Sequence, residues 1–128
     1  MVIGAVDVLA LVLLLQAKHL VADFYLQNQF MLSGRNRYFH AGRATHVLIH
    51  LAGTALSFAL LGIGGAFVAM ILLAEFIVHY HIDWAKSAVG EHYGFKPDMP
   101  EYWHALGLDQ ALHQITYLGM AAAWYLLS

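Results

Sequence analysis

Four sets of side chains in this sequence have the types and spacing to bind a metal ion or move a proton. His19, Asp23 and Gln27 recur at intervals of four, as do Glu75, His79 and Asp83, while His46/His50 and Asp109/His113 repeat the spacing as pairs. Residues four apart on an α-helix differ by about 40° in azimuth and share a face. Nitrogen and carboxylate donors without sulfur suit zinc first and iron or manganese next, and there is no cysteine to supply a thiolate. His46, His50, His79, Asp83, Asp109 and His113 are the candidate metal ligands. Asp23 is the candidate general base or the group that orients His19, which makes His19 and Asp23 candidate catalytic residues. Lys86, a turn beyond Asp83, is placed to hold an anionic head group. Gln27, Glu75 and Gln110 are positioned to orient the others by hydrogen bonding. His40, His92 and His104 fall between the apolar segments and are expected to be ordinary loop residues.

Composition says what kind of scaffold carries these groups. The 128 residues are 61% hydrophobic and 11% charged, against roughly 25% charged in soluble domains. A small soluble body needs a charged shell, because its surface is large relative to its volume. This chain cannot supply one, so an integral membrane protein in contact with the lipid bilayer is expected. The formal charge of −2 gives no footing for nucleic acid. The lack of cysteine excludes disulfides and iron–sulfur clusters. Nine histidines in so apolar a chain need a reason, because histidine is not a lipid-facing residue.

Segment lengths predict an all-α protein, a four-helix transmembrane bundle running up-down-up-down as a single domain over 1–128. The helices are expected at about 2–30, 43–61, 65–87 and 105–127, since a span takes about 20 apolar residues. Gly62-Ile63-Gly64-Gly65 divides a run too long for one span, and Pro97 and Pro100 mark a loop over 90–104. The apolar run Val8–Ala17 has no basic segment before it and no cleavage site after it, so it reads as the first helix. Lys18, Arg35, Arg37, Arg43, Lys86 and Lys96 lie in or near the 1–2 and 3–4 connections. That end is therefore expected in the cytoplasm, with both termini on the outer, periplasmic side. Tyr38, Trp84, Tyr102 and Trp103 fit one interfacial belt, and Trp124 with Tyr125 the other. The polar sets fall at the ends of helices 1 and 3 and the starts of helices 2 and 4. In such a bundle they converge in one layer, a His/Asp-rich chamber toward the cytoplasm. The opposite half offers only Asp7, Thr54, Ser57 and Thr116.

The strings KHLVADFYLQ (Lys18 to Gln27), HVLIH (His46 to His50), HYHIDWAK (His79 to Lys86) and LDQALH (Leu108 to His113) resemble a family of small bacterial inner-membrane proteins, domain of unknown function 3307. The resemblance spans nearly the whole chain. It implies a multi-pass protein of the bacterial inner membrane, of prokaryotic or phage origin, with no established activity. On that pattern His19, Asp23, Gln27, His46, His50, His79, Asp83, Lys86, Asp109, Gln110 and His113 carry over, whereas Glu75, His81 and His104 do not belong to it. The layout is also similar to membrane-embedded metal-dependent hydrolases, an analogy of arrangement alone. Taken together, these readings point to a divalent-metal site and to a hydrolase acting on an amphiphilic, lipid-like small molecule. The alternatives are a transporter for metal ions or protons, a haem protein using two histidines, and a structural subunit whose polar core holds the helices in register.

Overall fold

A helix ends where a residue can turn the backbone aside and begins where a side chain can satisfy its first amides, and both signals divide this chain. The computed structural model describes residues 2–128, and among them there are helices and no strands. Helix α1 (Ala5–Leu20) runs straight into a π-helical turn (Val21–Tyr25). A single turn, α2 (Gln29–Leu32), follows, and then the long helices α3 (Ala41–Leu60), α4 (Gly65–His92) and α5 (Pro100–Leu127). Asn28 caps α2 by accepting from the Met31 amide at 3.2 Å. His40 caps α3 by accepting from the Arg43 amide at 2.8 Å, while its other ring nitrogen donates to the Ser33 carbonyl at 2.6 Å. This loop histidine is thus a helix cap.

Glycine closes α3 and α4. Gly62 (φ 75°) and Gly94 (φ 66°) take the left-handed conformation that costs other residues a clash at Cβ. Beyond each, an amide bonds five residues back, Ile63 to Phe58 at 3.0 Å and Phe95 to Gly90 at 2.9 Å, which terminates the helix. Pro100 stands in the first turn of α5, where a missing N–H is harmless.

These signals correct the expected boundaries. The first helix stops at Tyr25 instead of reaching residue 30, because the chain turns before the Asn28 cap. The expected 90–104 loop shrinks, since Gly90 is tolerated inside α4 and Pro100 starts α5. The number of apolar spans is also corrected. Two segments, Ala5–Tyr25 and Gly65–His92, are long and apolar enough to cross a membrane, not four. Helices α3 and α5 have the length, but His46, His50, Asp109, Gln110 and His113 dilute their hydropathy.

α1 packs on α3 and α5, and α4 packs on the same two, so the four long helices close a ring. Lys18 reaches Gly53, Asp23 reaches His46, and Lys86 reaches Asp109, so sequence neighbours in the ring run antiparallel. α2 lies on the start of α3, where the backbones come so close that a Cβ on Gly42 would strike the Phe30 carbonyl.

The interior has two layers. At the Gly62 end, Leu11, Leu15, Phe58, Val68, Met120 and Trp124 form an apolar core. Trp124 belongs to this core, with Phe58 edge-on to it, and only its neighbour Tyr125 faces outward as the belt expectation had it. At the other end the buried side chains include His19, His46, His50, His79, Asp109 and His113. Outside, the pattern inverts. Leu13, Leu56, Leu60, Leu73, Leu108 and Ile115 are all exposed.

Candidate metal centre

All four long helices contribute to the polar layer. α1 brings Lys18 and His19, the π-turn Asp23, α3 His46 and His50, α4 Glu75, His79 and Asp83, and α5 Asp109, Gln110 and His113. The π-turn is the local irregularity. The Leu26 amide bonds to the Val21 carbonyl five residues back at 3.0 Å, which widens the helix where Asp23 leaves it. Such insertions are common where a helix must aim a functional side chain.

Imidazole Nε2 atoms converge on two carboxylates. Asp23 Oδ1 is 2.8 Å from His50 Nε2 and 3.2 Å from His46 Nε2, and Asp23 Oδ2 is 3.2 Å from His19 Nε2. Asp83 Oδ1 is 3.0 Å from His113 Nε2, and Asp83 Oδ2 is 3.2 Å from His79 Nε2 and 3.6 Å from His46 Nε2. The donor atoms of Asp23, His46, His50 and His79 lie within 4.8 Å of one another, as do those of His79, Asp83 and His113. His79 belongs to both groups. Atoms bound to one ion at about 2.1 Å in tetrahedral directions stand roughly 3.4 Å apart, and the observed spacings bracket that value.

Several of these contacts have ion-pair distance without hydrogen-bond geometry. His79 Nε2 and Asp109 Oδ1 are buried and have no hydrogen-bond partner. A lone orphaned nitrogen in a core is costly. His79 Nε2 instead lies 3.2 Å from Asp83 Oδ2 without hydrogen-bond geometry, inside both donor groups, which is how a ligand looks.

The surrounding hydrogen bonds fix several rings. Gln110 donates to Asp109 Oδ2 at 3.1 Å, which points its amide oxygen at His19 Nε2, 2.8 Å away. That nitrogen must therefore carry the proton, and His19 Nδ1 accepts from the Tyr117 hydroxyl at 2.8 Å. His19 is committed to positioning. The Lys18 ammonium sits 2.5 Å from Glu75 Oε1 and donates to His50 Nδ1 at 3.1 Å, so His50 presents Nε2–H to Asp23. Glu75 thus acts on the imidazoles only through Lys18. Gln27, oriented to satisfy both neighbours, donates to the Asp23 carbonyl at 3.1 Å and accepts from Arg35 at 3.3 Å. Lys86 lies 3.5 Å from Asp109 Oδ2, a loose pair.

The structure therefore gathers every candidate site residue into one layer, with two differences of place. Asp23 stands among the potential ligands, and Asp109 stands beside them, at 3.3 Å from His113 Nε2. His92 and His104 are exposed and remote, and exposed His81 bonds to Tyr38 at 2.8 Å. Lys18 and Tyr117 are the residues the spacing argument missed. Lys18 had a usable signal, since a lysine within an apolar helix requires a buried partner.

The family described as protein of unknown function (DUF3307) matches residues 9–127. The chain belongs to this family. The matched span includes every residue of the cluster in this DUF3307 member. No curated protein and no solved structure matches the chain.

The Lys18–Glu75 pair generates a stability prediction for this DUF3307 member, because both side chains are withdrawn from solvent (7% and 0% exposed). Lys18→Met leaves Glu75 charged and alone, which should cost about 3–5 kcal/mol. The double variant Lys18→Met/Glu75→Leu should recover most of that loss. Denaturant titration followed by circular dichroism reads both. A double variant as unstable as the single one would show that the pair is not the source of the effect.

Proposed function

We propose that this chain is a multi-pass protein of a bacterial inner membrane whose His/Asp cluster holds one or two divalent metal ions, zinc first. Its proposed chemistry is hydrolysis of a lipid-like amphiphile. The observation that carries the metal reading is the buried, hydrogen-bond-free His79 Nε2 at the point where the two donor groups overlap. His79 offers one nitrogen to both groups, so it can serve only one ion at a time. Ring centroids 4.1 Å apart for His79–His113 and 4.2 Å for His50–His79 leave no slot for a haem macrocycle.

Four membrane crossings are supported by where the apolar side chains point. Even on α3 and α5, which fail a test of bulk composition, Leu48, Leu56, Leu60, Leu108, Ile115 and Leu118 are exposed. His46, His50, Asp109 and His113 of those helices face inward, as intramembrane titratable groups must, while Gln114 is exposed. With the basic end of the bundle in the cytoplasm, both termini lie outside. Toward the apolar layer around Leu11, Leu15, Phe58 and Trp124, α3 buries only the uncharged polar side chains Thr54 and Ser57. This favours a site serving one face over a transport route.

A divalent ion, when bound, supplies Lewis acidity toward a phosphoryl or carbonyl oxygen and makes water acidic near neutral pH. The chain's own residues do the rest. Asp23 and Asp83 keep 14% and 15% of their side chains exposed, facing a cleft of about 80 Å³ that also meets Gln27, Lys86 and Gln110. With the ion on His79, Asp83 and His113, Asp23 would be left to take the proton of the attacking water. His19, held by Tyr117 and Gln110, keeps Asp23 in place. Lys86 offsets the charge of an anionic head group. Where His50 gives Nε2 to an ion, the proton now shared with Asp23 must leave, so uptake releases acid.

Elemental analysis of the detergent-purified chain should find zinc, iron or manganese in stoichiometric amount. Removing a ligand should cost at least the roughly 10–100-fold in affinity known for partners one step further out. His79→Ala should therefore lose the metal, while His92→Ala and His104→Ala should keep it. Metal retained by His79→Ala and lost from the loop variants would sink the assignment.

The orientation has its own test, made simple by the lack of native cysteine. In intact cells, Ser33→Cys and Asp98→Cys should be shielded from an impermeant thiol reagent, while Gly64→Cys and Ser128→Cys should react. The opposite labelling would place the cluster on the outer side.

A further inference from the structure

Three cavities meet at Lys86. The polar cleft over Asp23 and Asp83 shares Arg35, Lys86 and Ser87 with a larger opening of about 280 Å³ between the 33–40 loop and the ends of α4 and α5. A third space of about 370 Å³ runs along the outer wall between α4 and α5. Ile82, Ala85, Val89, Leu108 and Leu112 line it, together with Lys86 and Asp109. Val89, Leu108 and Leu112 are themselves exposed on the bundle's apolar surface, so this groove opens sideways.

Lys86 lines both groove and cleft, Arg35 lines the cleft and the larger opening, and neither cation is firmly neutralised. Lys86 has only its 3.5 Å approach to Asp109, and 26% of its side chain is exposed. Arg35 has no carboxylate at ion-pair distance among the described residues, and its contact is the Gln27 amide oxygen at 3.3 Å. Arg35 is also held in place. Arg43 donates to the carbonyls of Arg37 at 2.7 Å and Tyr38 at 3.1 Å, and Trp84 donates to that of Asn36 at 3.2 Å. The loop bearing Arg35 is thereby pinned to α3 and α4. A guanidinium on a pinned loop and an ammonium flanking one opening match a phosphate better than a carboxylate, since phosphate offers acceptor oxygens on several sides.

We propose that the occupant is a single-chain lipid phosphate, with its hydrocarbon tail in the α4–α5 groove and its phosphate between Arg35 and Lys86, above Asp23 and Asp83. The inference rests on the reading above, that the cluster serves an amphiphile, and it names the class. The apolar wall selects the tail, and the two cations select the head. Electrostatic complementarity beside an apolar slot is what separates this ligand from a neutral alcohol or a free anion.

The test uses the full chain in neutral detergent and radiolabelled hexadecyl phosphate as the probe, with zinc content measured on every sample. The parent should bind hexadecyl phosphate at least roughly tenfold more tightly than hexadecanol or inorganic phosphate. Arg35→Gln/Lys86→Met should weaken binding by about tenfold or more, and Arg35→Lys/Lys86→Arg, which keeps both charges, should restore most of it. Ala85→Trp, which fills the groove, should weaken the lipid phosphate and leave inorganic phosphate unchanged. All three variants should keep their zinc. Equal affinity for hexadecanol would overturn the role of the cations. Displacement by inorganic phosphate at equal concentration would make free phosphate the ligand and discard the groove. A parent that holds zinc and ignores hexadecyl phosphate would defeat this inference alone. Conversely, a chain that binds hexadecyl phosphate and holds no metal would defeat the metal reading alone.

Discussion

A carboxylate removed from water must find its partners inside the protein, and here Asp23 and Asp83 find them on every long helix. Asp23 draws on His19 from α1 and on His46 and His50 from α3. Asp83 draws on His46 from α3, His79 from α4 and His113 from α5. His46 is in reach of both. An uncompensated buried charge costs several kcal/mol, and the apolar outer surface offers no substitute partner. Sliding any helix by one residue, about 1.5 Å, would break these contacts. The layer therefore sets the register of the bundle as well as the site. The π-turn that aims Asp23 and the Gly42 contact that seats α2 against α3 serve the same register.

Around the two carboxylates the helices divide the work. Tyr117 and Gln110 lock the His19 ring from α5, and Lys18 with Glu75 reaches across the ring of helices to fix His50. His79 is left with Nε2 unengaged. His19 and His50 are thus hydrogen-bonded at both nitrogens, while His79 Nε2 meets Asp83 at 3.2 Å without a hydrogen bond. Below them the apolar core closes the bundle, so the polar layer faces one end only. Its two least-buried carboxylates face the cleft where Arg35 and Lys86 stand.

Much of this was legible in the sequence, because the i,i+4 spacing and the position of each set within its apolar segment are both helical facts. Convergence of His19, Asp23, His46, His50, His79, Asp83, Asp109 and His113 on one layer follows from them. The boundaries were less legible, since the single turn α2 and the early end of α1 depend on an Asn28 cap with no apolar periodicity. The Gly90 region looked like a loop because glycine lowers helix propensity, yet α4 continues through it. Lys18–Glu75 escaped notice because its partners are 57 residues apart, on helices that face each other across the ring. Arg35 could not be placed by periodicity at all, since a loop fixes it by backbone contacts to Arg43 and Trp84. Bulk hydropathy is the opposite case. It counts the inward-facing histidines of α3 and α5 against them, although Leu48, Leu56, Leu60, Leu108, Ile115 and Leu118 stand on their outward faces.

The central claim is that imidazoles from different helices share an ion with Asp23 or Asp83. Metal-edge X-ray absorption on the zinc-loaded chain reads that most directly. The account predicts a shell of nitrogen and oxygen at about 2.0–2.2 Å, with the outer-shell scattering of several imidazole rings. A shell of water oxygens without imidazole scattering, or a chain that takes up no stoichiometric metal, would contradict it.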